Sequence, residues 1–189
     1  MKKVFLITLF LFSSLKVHSL EVTLTQGSVK PTPIAVTELY SKNSQLTKVG
    51  KNISTVISDN LERSGLFLPI DKRSFIQDNQ SLSNKPRFED WKLIKAQHLV
   101  SGKISSNNGK ISVEFRLYDV FQQKQIVGKK YETNEKNWRR VAHIISDSIF
   151  KNITGEGGYF DTRIVYVAET GPKENKQKRL AIMDQDQSN

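Results

Sequence analysis

Residues 98–134, HLVSGKISSNNGKISVEFRLYDVFQQKQIVGKKYETN, decide the fold. Ile111, Val113, Phe115 and Leu117 alternate with Ser112, Glu114 and Arg116, the period-2 pattern of a strand with one buried face. Asn107-Asn108-Gly109 precedes it. Asn and Gly tolerate the positive φ of a primed two-residue turn, so this tripeptide predicts a hairpin. A second turn is expected near Phe121-Gln122-Gln123-Lys124, with Ile126 to Glu132 as the third strand. A three-stranded meander of this kind has an apolar face that other elements must cover.

Two helical segments flank it. Leu46, Val49, Ile53, Val56, Ile57, Asn60 and Leu61 recur at three- and four-residue intervals, one stripe over about four turns. Gly65 stands where a left-handed C-terminal cap belongs. Trp138, Val141, Ala142, Ile145 and Ile149 form a second stripe that Gly155 ends. A buried strand is expected over Ile34-Ala35-Val36, a short one over Leu66 to Ile70, and a short helix over Phe88 to Ala96. Gln77 to Lys85 is polar and reads as a surface loop. The fold class is α+β: a mixed sheet with an antiparallel meander, covered by two long helices and one short helix.

The first nineteen residues form a separate unit. Lys2-Lys3 precede an apolar run, Val4 to Leu15, and Val17-His18-Ser19 supplies a cleavage site, the pattern of a secretory signal peptide. The run is shorter than the roughly 20 residues needed to span a bilayer. Of the formal charge of +10, three lysines (2, 3 and 16) leave with this leader, so the mature chain carries +7. The basic residues are mostly scattered and read as a solvated surface; the alternative function they raise is an exported basic domain binding an anionic surface or nucleic acid. There is no cysteine, hence no disulfide, lipid-attachment thiol or thiolate metal site.

Residues that would carry chemistry are scarce. His98 and His143 have no Asp or Glu at metal-ligand spacing in sequence and read as structural histidines. No nucleophile elbow, P-loop or carboxylate pair stands out, so no enzyme activity, metal or cofactor is expected. Asp184-Gln185-Asp186 superficially resembles the opening of a calcium loop, but Asn189 stands where that loop needs its glycine, and the required later glutamate lies past the last residue.

The two ends have their own character. Leu20-Glu21-Val22-Thr23-Leu24-Thr25-Gln26 alternates apolar and polar residues before Gly27 and the Lys30-Pro31-Thr32-Pro33 run. It suits either a strand added to a partner's sheet edge or an edge strand of its own domain. After Gly155-Glu156-Gly157-Gly158, a hinge composition, Arg163 to Ala168 and Arg179 to Asp184 read as two strands. A lone strand pair is marginal in water, so this tail is expected to be disordered or to borrow a partner.

Pro33-Ile34-Ala35-Val36, Leu61-Glu62-Arg63-Ser64-Gly65-Leu66-Phe67, Trp91-Lys92, Val100-Ser101-Gly102 and Leu117-Tyr118-Asp119 together resemble the TolB family, periplasmic components of the Tol-Pal system. The most specific match is Gly158-Tyr159-Phe160-Asp161-Thr162-Arg163-Ile164-Val165-Tyr166-Val167. The resemblance implies an α/β domain over residues 34–154, similar in topology to anticodon-binding domains, then a six-bladed β-propeller of which residues 155–189 would be the hinge and the truncated first strands. It implies a non-catalytic periplasmic adaptor whose mobile segment 20–33, with contacts at residues 20–26, binds the C-terminal domain of TolA. Pal would bind the propeller, and the system would serve outer-membrane invagination at division and envelope integrity. The sequence departs from the family's D-x-D-G-x-N stretch at Gln187, where glycine is usual. Neither nucleic acid nor a small-molecule substrate is implied.

Overall fold

The computed structural model describes residues 30–83 and 85–188. Its main sheet has five strands: β1 (Thr32–Val36), β2 (Phe67–Pro69), β3 (His98–Asn107), β4 (Lys110–Asp119) and β5 (Lys124–Asn134). Their order is β2-β1-β3-β4-β5, with β1 parallel to both β2 and β3 and the last three strands an antiparallel meander. The sheet is therefore mixed. Asn108 and Gly109 both have positive φ, 49° and 75°, as a primed turn requires. Asp119 accepts a hydrogen bond from the Gln122 amide at 2.7 Å and shapes the second turn.

Helices α1 (Ser44–Arg63) and α4 (Trp138–Thr154) lie on one face. Asn43 caps α1 by accepting from the Gln45 amide at 2.9 Å, and Gly155 ends α4 at φ 80°. Ile53, Ile57 and Leu61 of α1 and Ala142, Ile145 and Ile149 of α4 pack on Ile34, Val100, Val113, Phe115 and Leu117 of the sheet. Each such Val, Leu, Ile or Phe side chain removed from water contributes about 1.5–3 kcal/mol. Two glycines permit close packing. A Cβ on Gly102 would lie 2.1 Å from the Glu114 carbonyl oxygen, and one on Gly50 would lie 2.7 Å from that of Leu39.

The opposite face carries a second, smaller cluster, and here the expected surface loop is corrected. Residues 77–85 include a helical turn, α2 (Asn79–Leu82), and both Gln77 and Leu82 are buried. Leu82 joins Trp91 of α3 (Phe88–Leu93) against Ala35, Leu99, Tyr118 and Val120. Gln77 satisfies the polar groups this burial creates. Its Oε1 accepts from Trp91 Nε1 at 3.1 Å and from the Arg87 amide at 2.8 Å, while its Nε2 donates to the Lys85 carbonyl at 2.9 Å. A single buried Gln inside a polar run has no periodicity to betray it.

Beyond α4 the chain is first tied down, then released. Phe160 is buried against Phe150, and Asp147 of α4 accepts from the Phe160 and Asp161 amides at 2.7 and 3.1 Å. Strands β6 (Arg163–Thr170) and β7 (Gln177–Asp184) then pair as a separate two-stranded hairpin. The tail is thus ordered, and what it borrows lies in its own chain.

Candidate functional site: a polar cluster between the two long helices and the hairpin

The expected partner-binding residues 20–26, like the leader, lie outside the described residues. Among the described residues the chain enters at Lys30 and goes directly into β1, whose first amide, that of Thr32, donates to the Leu66 carbonyl at 2.9 Å.

The polar cluster the sequence did not reveal is centred on His143. One α-helical turn places Arg139 and His143 on the same side of α4. Asn60, the only polar member of the α1 stripe, faces them and is fully buried. Its Oδ1 accepts from Arg63 and, at 3.1 Å, from Gln185 Nε2. Its amide nitrogen then has both hydrogens committed, to His143 Nδ1 at 2.9 Å and to Ser146 Oγ at 3.0 Å. Ser146 in turn donates to the Ala142 carbonyl at 2.9 Å.

These bonds assign the histidine. Arg63 can only donate, so the Asn60 oxygen must face it and the nitrogen must face His143. Nδ1 is then an acceptor and the neutral ring carries its proton on Nε2. That N–H points toward Asp186 Oδ2 at 3.6 Å, too far for a hydrogen bond. Burial is the main cause that holds the His143 pKa below its ordinary value of 6.5; Asp186 and Asp184 oppose it and Arg139 reinforces it.

Asp186 is drawn into the cluster from the turn after β7. Its side chain is 4% exposed, it is paired with the Arg139 guanidinium, and it accepts from the Ser188 amide at 3.2 Å. Burial raises its pKa, but Arg139, the Ser188 amide and His143 together outweigh that and leave it lowered. The carboxylate is ionised at neutral pH. A cleft of about 350 Å³ opens beside it, lined in part by Lys136, Arg140, Asp161 and Arg163.

His143, Asp184 and Asp186 bring one potential metal-ligating atom each within 4.8 Å of one another. The donor set does not fit a metal ion. The Nε2 lone pair is used by its proton, Nδ1 by Asn60, and Asp186 is already neutralised by a guanidinium. Ser146 has no role as a nucleophile, because it is fully buried with its proton directed at a main-chain carbonyl. What the arrangement does is recognise a carboxylate. The sequence placed Asn60 in a stripe and His143 in a helix, but 83 residues separate them, and no local pattern announces their meeting.

Comparison with known proteins agrees with this architecture. The family model described as the TolB amino-terminal domain matches residues 20–126, more than half of the chain. The chain belongs to the TolB family. It is similar to the Tol-Pal system protein TolB of Paramagnetospirillum magneticum, 50% identical over 169 residues that cover 89% of this chain and 38% of that protein. The TolB of Pelagibacter ubique is 46% identical over 192 residues, covering 96% of this chain and 43% of the relative. The crystal structure of TolB from Acinetobacter baumannii superposes with a TM-score of 0.70 at 24% identity, over 85% of this chain and 37% of that one, and shows the same fold. This TolB-family chain spans less than half the length of the curated relatives it matches. No helix among the described residues is long and apolar enough to cross a membrane.

Proposed function

We infer that the chain is the amino-terminal part of a periplasmic, non-catalytic Tol-Pal adaptor, exported by residues 1–19 and binding the C-terminal domain of TolA through residues 20–26. The observation that carries this reading is the family match, which begins at residue 20, the first residue after the leader. The alternation of Val22 and Leu24 with polar neighbours supports strand addition to a partner, where main-chain bonds supply affinity and alternate side chains supply specificity. The wider role follows from the family: outer-membrane invagination during division and envelope integrity, with Pal as partner of a propeller.

The hairpin supports the domain assignment. Val165, Val167, Leu180 and Ile182 on one face and Ile164 and Tyr166 on the other are exposed, so both faces are apolar. A strand pair apolar on both sides suits the inside of a larger sheet, such as the opening of a propeller blade. The anticodon-binding-domain likeness of residues 34–154 is what the resemblance to the family implies.

The test is titration calorimetry of residues 20–189 against the TolA C-terminal domain of the same genome. Binding that is lost on deleting residues 20–26 is expected. Equal binding by the deleted chain would sink the assignment of the segment, and no binding by either, with circular dichroism of a folded protein, would sink the adaptor reading for this chain.

A further inference from the structure

We propose that Arg139 and His143 on α4, braced by Asn60 on α1, form a carboxylate receptor whose ligand is Asp186 of the same chain, and that this contact decides whether the β6–β7 hairpin is docked on the domain or swings free.

The hairpin has little else to hold it. Among the described residues, none beyond Phe160 belongs to the buried core, and the large apolar side chains of β6 and β7 face solvent, except for the half-buried Met183. The hydrophobic term that fastens α1 and α4 to the sheet is therefore missing from the hairpin's attachment. Among the described residues, polar links fasten the hairpin at its two ends. At the entry, Arg140 pairs with Asp161 at 3.2 Å, next to the point where Asp147 holds the Phe160 and Asp161 amides. At the exit, Gln185 reaches Asn60 and Asp186 reaches Arg139 and His143. The entry is anchored by the burial of Phe160, so the exit alone decides the hairpin's orientation.

The exit contact has the properties of a receptor and its ligand. Asn60 is fixed before the turn arrives, because Arg63, His143 and Ser146 all belong to α1 or α4. The receptor offers more donors than Asp186 takes up. His143 Nε2 and Arg139 Nε are both buried and neither has a hydrogen-bond partner among the described residues. His143 itself is 2% exposed and its free N–H is directed at the Asp186 carboxylate from 3.6 Å. A charge-assisted contact of this kind is strong when formed, and it can open without exposing apolar core. Opening needs only that Asp186 and Gln185 exchange these partners for water, with Thr162, the residue after the anchored Asp161, as the pivot. Such a joint belongs to the low-stability end of a structure, where local opening precedes global unfolding.

The absence of cysteine makes a direct test clean. Spin labels on Lys51→Cys in α1 and Arg179→Cys in β7, both exposed positions, report the distance between domain and hairpin by pulsed electron resonance. The expected result is one narrow distance peak in the otherwise unaltered chain. Asp186→Asn and Arg139→Gln should each broaden it, and the double variant should broaden it no further. Hydrogen exchange of residues 177–188 should rise about tenfold or more in Asp186→Asn while β3 and β4 stay within about twofold. A narrow peak that survives both substitutions would overturn the proposal. So would exchange that rises equally in the hairpin and in β3 and β4, because Asp186 would then be a strut of the fold rather than the ligand of a detachable joint.

Discussion

Asn60 on α1 and His143 on α4 are joined by a 2.9 Å hydrogen bond in which the asparagine nitrogen donates to Nδ1 of the ring. The same nitrogen donates to Ser146, and the asparagine oxygen accepts from Arg63 and Gln185. One buried amide thus holds both long helices in register and sets the tautomer of the histidine.

Replacing Asn60 with alanine should cost about 2–4 kcal/mol of folding stability. The substitution leaves His143 Nδ1 and the Arg63 guanidinium without their partner and opens a void in a packed interface. Urea denaturation of the chain reads it. Asn60→Asp should be no better, because a buried carboxylate cannot donate to His143 and Ser146. A loss below about 0.5 kcal/mol in either variant would contradict the network.

Stability should fall as the pH is lowered through 6.5. Burial lowers the pKa of both His98 and His143 from that ordinary value, with nearby carboxylates opposing it. The unfolded chain therefore takes up protons between 6.5 and the lower folded-state values while the folded chain does not. The contribution is fully present above 6.5 and is lost as pH falls toward those values. Denaturation midpoints at pH 7.5 and 5.5 should differ in that direction, and His98→Gln should reduce the difference. A midpoint that rose on acidification would refute the assignment of neutral buried rings.

Gly102→Ala should be strongly destabilising and Gly157→Ala neutral. A Cβ at residue 102 would lie 2.1 Å from a main-chain oxygen of the neighbouring strand and 2.8 Å from Leu39, whereas at 157 it would meet nothing within 4 Å. The first change should cost about 3 kcal/mol or more and the second less than about 0.5 kcal/mol. Thermal unfolding of the two variants side by side decides it.

Gln77→Ala should cost about 1–3 kcal/mol, because Trp91 Nε1 and the Arg87 amide lose their shared acceptor. Gln77→Glu keeps an acceptor for both but sets a buried carboxylate oxygen against the Lys85 carbonyl and should cost at least as much. The check is chemical denaturation followed by tryptophan fluorescence. Equal stability of Gln77→Ala and the unaltered chain would show that the second cluster does not depend on this residue.

The amino-acid sequence by itself determined the parts of this protein that depend on near neighbours. Ile111 to Leu117 alternate because successive strand side chains point to opposite faces, Asn108-Gly109 accepts positive φ, and the stripes ending at Leu61 and Ile149 repeat at the helical period. Family membership was legible for the same reason, in short runs such as Gly158 to Val167. Tertiary structure alone decided the rest. Nothing local says that β1 lies between β2 and β3, that Gln77 turns inward to serve Trp91, or that Asp186 meets Arg139 and His143. Gln185 and Asn60 lie 125 residues apart. Polar residues carry no periodic signal, and their burial becomes favourable only when the packed core has already brought a partner to each of them.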